Sequence, residues 1–158
     1  YQSIALQKLF SRKRISMADT INYGRTATHA ANKVMIANTI YGGEWGRINL
    51  GNIKPMDGWI FRGAGIIQLT GRSNVTKFTN YYNSKTGNTY TPEQIADLLK
   101  IDIEVGIHSA CWFFAIAKQL IDEAIDDKMN EVVKKINGGY IGMPDRLKYY
   151  ELCKKYIV

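Results

Sequence analysis

Between Glu104 and Leu120 the chain carries Val105, Ile107, Ala110, Trp112, Phe113, Phe114 and Ile116, with almost no polar face left between them. At 3.6 residues per turn such a run spreads apolar side chains around the whole cylinder. A helix without a wet face is expected at the centre of a fold, covered by other helices. The segment is too short to cross a bilayer, which takes about 20 apolar residues. Its most apolar stretch, Ala110 to Ala117, therefore reads as a buried helix, and the chain as a mainly α domain.

The remaining spacing supports that class. Ile4, Leu6, Leu9 and Phe10 suit a short helix from Ser3 to Phe10. A second helix is expected to open at Thr28, as N-cap, and to stop at Gly42 and Gly43, with Val34, Ile36, Ala37 and Ile40 as its apolar positions. Ser73 to Tyr82 reads as another helix. Thr91 and Pro92 are an N-cap and first helical residue for Glu93 to Leu99. Asp126 or Asp127 is expected to cap a helix through Val132, Val133 and Ile136 that stops at Gly138 and Gly139. Pro144 and Asp145 open a terminal helix bearing Leu147, Tyr150, Leu152 and Ile157.

Two stretches break the helical pattern. Ile66 to Thr70 is short, apolar and flanked by glycines, which predicts a small strand or extended element in the 60–70 region. Gly42 to Arg62 holds five of the chain's 14 glycines, together with Pro55, and also Trp45, Met56 and Trp59. An aromatic-bearing glycine-rich loop is a candidate site; it is equally a compact loop anchored by its tryptophans. No repeat, linker or low-complexity tract divides the chain, so 1–158 is expected to be one domain.

Composition is ordinary for a globular protein, at 46% hydrophobic and 22% charged residues, but the formal net charge is +7. That balance suits a polyanionic setting: nucleic acid, an anionic membrane face or an acidic cell wall. The basic residues are scattered apart from Arg12, Lys13 and Arg14, and no run alternates basic with aromatic residues, which speaks against nucleic acid. Cys111 and Cys153 make no disulfide framework, and Cys111 is expected as a small core residue. The first residue is Tyr1, with neither Met nor a signal peptide, so a processed or truncated start is expected.

Metal and nucleophile chemistry find little support. His29 and His108 are far apart in the chain, and no Gly-x-Ser-x-Gly elbow occurs. No metal and no cofactor is expected. Gly63 and Gly65 lack the strand before and the third glycine after that a phosphate-binding loop needs. Neutral hydrogen-bonding side chains near aromatics are the better signal, because amides, hydroxyls and guanidinium groups reach sugar oxygens while aromatic faces cover sugar rings. Gln68, Thr70 and Asn74 supply such groups, as do Asn137 and Arg146, although Asn137 also suits a helix C-terminus and Arg146 a surface ion pair.

The stretch from Asp57 to Arg72, Asp-Gly-Trp-Ile-Phe-Arg-Gly-Ala-Gly-Ile-Ile-Gln-Leu-Thr-Gly-Arg, resembles the core signature of family 19 glycoside hydrolases, which include plant and bacterial chitinases and many phage endolysins. Ser109 to Phe114, Ile136 to Gly139 and Asp145 to Leu147 continue the resemblance in order and spacing. It implies a lysozyme-like helical domain whose cleft is lined by Gln68, Thr70, Asn74, Asn137 and Arg146. It also implies hydrolysis of β-1,4 links with inversion, one glutamic acid protonating the leaving oxygen and a second carboxylate activating water.

Two departures matter. Ala64 stands where the family usually has arginine, and the family's His-Glu-x-Gly-Gly acid motif has no counterpart, since no His-Glu pair occurs in the chain. By the resemblance both catalytic glutamates precede Tyr1. Within the chain Glu44 is the weak substitute, with Trp45 and a glycine-rich loop to desolvate it, and Asp57 is second; Glu44 also reads as a solvated charge or a partner for Arg62. The expected function is an endolysin-type hydrolase of peptidoglycan, made in a bacterial host's cytoplasm and acting at the cell wall. Chitin is the other substrate. The other reading is an inactive glycan-binding or structural module of a phage virion.

Overall fold

The computed structural model describes residues 1–156, and Ile157, expected on the terminal helix, lies outside them. The chain divides into two compact units, Tyr1–Ala110 and Cys111–Val158. Both are built of helices, and the mainly α class holds.

In the first unit the order is α1 (Ser3–Leu9), α2 (Met17–Tyr23), α3 (Lys33–Tyr41), α4 (Gly43–Leu50), α5 (Asp57–Ile60), α6 (Arg72–Thr86), α7 (Pro92–Ile101) and α8 (Ile103–Trp112), whose last two residues belong to the second unit. Leu6, Ile15, Ile36 and Ile40 form one fully buried cluster, with Phe10, Tyr23, Ala31 and Tyr41 packed on it. Val75, Phe78 and Tyr82 bury one face of α6, and Ile95, Ala96 and Leu99 bury one face of its neighbour α7. The start of α7 is a full capping box: the Thr91 hydroxyl accepts from Gln94 N–H, and the Gln94 amide oxygen accepts from Thr91 N–H.

Several expectations change. The cap of α3 is Asn32, whose side chain accepts from Met35 N–H at 3.1 Å, while Thr28 lies in the preceding loop. The glycine-rich stretch is largely helical. Gly42 and Gly43 open α4, and Gly51, left-handed at φ +67, closes it with its N–H on Gly46 O. Those glycines serve as helix ends rather than loop flexibility. The extended element reduces to one antiparallel bridge between Ala64 and Leu69.

The apolar segment expected to be one central helix is not buried all round. Val105, Ser109 and Trp112 are buried along α8, at i, i+4 and i+7, while Ile103 and Ile107 face solvent. After Trp112 the backbone widens into a π-helical turn, Phe113–Ala117, and Gln119 takes a left-handed φ of +52, so the helix stops well short of Leu120.

The second unit continues with α9 (Ile121–Ile125), α10 (Met129–Asn137) and α11 (Met143–Tyr156). Neither Asp126 nor Asp127 caps α10: Lys128 holds the N-cap position without a side-chain bond, and the two aspartates pair instead with Lys128 and Lys154. Gly138 does end α10, left-handed at φ +73. Cys111 is an exposed free thiol, not a core residue, because it sits one position off the buried stripe of α8. No described helix is long and apolar enough to cross a membrane.

Candidate functional site

The segment Phe61–Gly71 is a tight hairpin. Ala64 N–H donates to Leu69 O at 3.3 Å and Leu69 N–H returns to Ala64 O at 2.8 Å, while Gly71 N–H closes the base on Phe61 O at 2.8 Å. Phe61, Ala64 and Leu69 are buried and fasten the hairpin to the core. Gly71 has to be glycine: φ is +93, and a Cβ there would stand 2.9 Å from Leu50 Cβ and from Leu50 O.

A buried ion pair locks the same base. Arg72 donates to both Asp57 oxygens, from Nε at 2.8 Å and Nη2 at 2.6 Å, and its Nη1 reaches Glu93 Oε1 at 2.8 Å. Its guanidinium also lies 4.4 Å from the centre of the Phe61 ring. Asp57 Oδ2 accepts the Ile53 and Lys54 N–H groups, at 2.8 and 2.9 Å. Burial alone would push the Asp57 carboxyl up. The Arg72 hydrogen bonds, the two backbone donors and the Arg72 charge outweigh it and hold the group below its ordinary value. Glu93 is likewise lowered, first by its hydrogen bond to Arg72. Asp57 is thus a structural carboxylate with its lone pairs engaged, and no candidate proton donor.

The hairpin presents Gln68 and Thr70 to a groove of about 570 Å³, whose other walls come from Tyr1, Phe10, α3 and Trp59 to Gly63. Gln68 holds a left-handed φ of +54, uncommon for a residue with a side chain and costing on the order of 1 kcal/mol. Its amide nitrogen donates to Gly65 O at 3.1 Å, and the Thr70 hydroxyl donates to Gln68 O at 2.8 Å. A Cβ on Gly63 would lie 3.0 Å from Gln68 Oε1 and 3.1 Å from Thr70 Oγ1, so these two oxygens close over a bare glycine. An adjoining depression of about 520 Å³ shares Arg62, Gly63 and Gln68 and reaches Leu99 to Ile103. Gln68 therefore stands where two recesses meet.

Of the residues named from sequence, Gln68 and Thr70 share the groove. Asn74 is outside its lining and acts on it indirectly: in the first turn of α6, its amide donates to Thr70 O at 2.9 Å. Asn137, exposed at the end of α10, and Arg146, exposed near the start of α11, belong to the second unit. Glu44 is in the first turn of α4, its side chain 81% exposed and 3.9 Å from Arg47, so nothing desolvates it. Arg62 is not its partner. That guanidinium lies 3.6 Å above the Trp59 ring and donates to Trp59 O. Trp45 is covered in the same way by Arg14, at 3.8 Å. Both tryptophans of the glycine-rich stretch are platforms for arginines, with one ring face already taken.

Lys33 and Tyr41 were missed as groove residues. With Ala37 and Ile40 they fall at i, i+4, i+7 and i+8 of α3, so the helical period alone would have put them on one face. The groove lining includes no Asp or Glu. Among the described residues no three of His, Cys, Asp and Glu are grouped to hold a metal ion. The arrangement offers a ligand the neutral acceptors and donors of Gln68 and Thr70 beside aromatic rings and the cations of Lys33 and Arg62, with no carboxylic acid in the lining.

A Haemophilus influenzae protein described as a glycosyl hydrolase family 19 domain-containing protein is 31% identical over 116 residues, 73% of this chain and 50% of that protein. The chain spans about half the length of this relative. No family model matches it. Over 73% of its length the chain is thus similar to a protein described as carrying a family 19 glycosyl hydrolase domain.

Proposed function

We propose that the protein is an endolysin-type glycan hydrolase acting on the β-1,4 bonds of bacterial peptidoglycan with inversion. The observation that carries the reading is the pinned hairpin on which Gln68 Oε1 and Thr70 Oγ1 flank Gly63 at the meeting of two recesses. A glycan chain lying there would exchange hydrogen bonds with Gln68 and Thr70, and its position would be fixed before any proton moves. Inversion needs an acid and a base roughly 6.5–9.5 Å apart across the scissile bond. With no carboxylate in the groove lining, both are assigned to glutamates encoded ahead of Tyr1. The net charge of +7 supports an acidic wall as the setting, and the presence of only two cysteines, unlike the cysteine-rich plant chitinases, favours a phage or bacterial source.

The test is to incubate the complete gene product separately with purified peptidoglycan and with chitin, and to measure reducing ends. Release from peptidoglycan is expected. Faster release from chitin would make the protein a chitinase. Absence of release from either would favour the second reading, an inactive glycan-binding or virion module, which the acid-free groove motivates. For residues 1–158 alone little or no hydrolysis is expected; normal wall lysis abolished by Glu44→Gln would move the acid into this chain.

A further inference from the structure

The groove carries two cations that the fold does not neutralise. Lys33, exposed in the first turn of α3, lines it and forms no ion pair among the described residues. Arg62 lines it as well, held flat on Trp59 with Nη1 on Trp59 O, and it forms no ion pair among the described residues. By contrast Arg72, the residue directly after the hairpin, is paired with both Asp57 and Glu93. A neutral polysaccharide offers Lys33 and Arg62 hydrogen-bond acceptors but no counter-charge, so their positive charge is left uncompensated.

We propose that Lys33 and Arg62 are specificity-determining residues that receive carboxylates carried on the glycan, those of the stem peptides of peptidoglycan, and so favour it over chitin. The inference rests on the glycan-binding reading above and adds its charge requirement. Arg62 is fixed by stacking and offers a directional donor fork, whereas Lys33 is a mobile point charge at the rim. Neutral contacts at Gln68 and Thr70 would hold the sugar backbone in either polymer. The two cations would weigh only the substituents, the part in which the polymers differ.

Calorimetric titration of the 158-residue chain with a defined muropeptide tetrasaccharide and with the neutral N-acetylglucosamine tetramer gives the ratio of the two affinities. The ratio is expected to favour the muropeptide and to fall as salt is raised. Lys33→Met should cut it roughly fivefold, the scale of one solvent-exposed charge pair. Lys33→Arg should restore it, and amidating the muropeptide carboxylates should abolish the preference even with the unchanged protein. If Lys33→Met weakens both ligands equally, or neither, Lys33 does not read charge and the inference falls while the glycan-binding reading stands. If glycerol phosphate at equal concentration displaces the muropeptide, the site reads phosphate and the carboxylate assignment is wrong. If neither oligosaccharide binds, both this inference and the proposed function fail together.

Discussion

The two units use charge in opposite ways. In the first, Asp57 is fully buried and Arg72 mostly so, and their pair joins α5, α6, α7 and the base of the hairpin through five side-chain and backbone hydrogen bonds. In the second, the pairs Lys128–Asp126 and Lys154–Asp127 are about half exposed, Lys135–Glu123 keeps a half-exposed lysine on a more buried carboxylate, and α11 has no buried residue. A pair in water holds little, because solvent screens it and two long side chains lose freedom. A desolvated pair is costly to assemble and costlier to break, since either member left alone is a stranded charge. The first unit therefore ties its geometry to one ion pair, and the hairpin bearing Gln68 inherits that rigidity.

The comparison breaks most directly at Asp57. Asp57→Asn keeps the volume but leaves Arg72 without its main counter-charge, and should cost about 3 kcal/mol. Urea unfolding followed by the fluorescence of Trp45 and Trp59 would measure it; a loss under about 1 kcal/mol would mean the pair is no more than a surface contact. The pH dependence sharpens the point. The Asp57 carboxyl is depressed in the folded protein, so its stabilisation is complete above the unfolded value, near pH 4, and disappears as pH falls through the lower folded value. The gap between the parent and Asp57→Asn should thus be constant from about pH 5 to 7 and close on further acidification. A gap unchanged at pH 2 would contradict the assigned cause.

How much of this was legible in advance depends on how local the signal is. Thr91-Pro92 with Gln94 announces α7, and Gly138 announces the end of α10, because a cap is decided by neighbours within a turn. Ile66 to Thr70 was legible as a glycine-flanked extended element, whereas its closure into a hairpin on Phe61 and Ala64 was not. Asp57–Arg72, by contrast, joins residues 15 apart, and nothing in either residue's own neighbourhood says which arginine an aspartate will meet. The same limit explains Trp45 and Trp59, legible as aromatics in a glycine-rich stretch, while the arginines that cover them were not. For α8 the apolar count pointed to burial all round; a stripe of Val105, Ser109 and Trp112 suffices, and the surplus isoleucines stay wet.

A rigid hairpin should also resist small additions. Gly63→Ala places a methyl 3.0 Å from Gln68 Oε1 and 3.1 Å from Thr70 Oγ1. A flexible loop would absorb those few tenths of an ångström, but Gln68 and Thr70 are each tied to hairpin carbonyls. Affinity for a soluble N-acetylated oligosaccharide is expected to fall by roughly threefold to tenfold, with less change in the unfolding midpoint than Asp57→Asn produces. Unchanged affinity would show that the two oxygens do not touch the sugar or that the hairpin gives way freely.

The smallest effect lies in the second unit. Lys154 donates to Asp127 at 2.9 Å, and Asp127 holds a left-handed φ of +59 just before α10. The tie looks structural, because it links the last turn of α11 to the turn that precedes α10. Both partners are about half exposed, however, and the fully solvated ammonium gains as much from water as from the carboxylate. Lys154→Met is therefore expected to leave the thermal midpoint unchanged within measurement error at low salt and at high salt alike. A clear, salt-sensitive drop would mean that this pair organises the second unit as Asp57–Arg72 organises the first, and the contrast between the two would be one of degree.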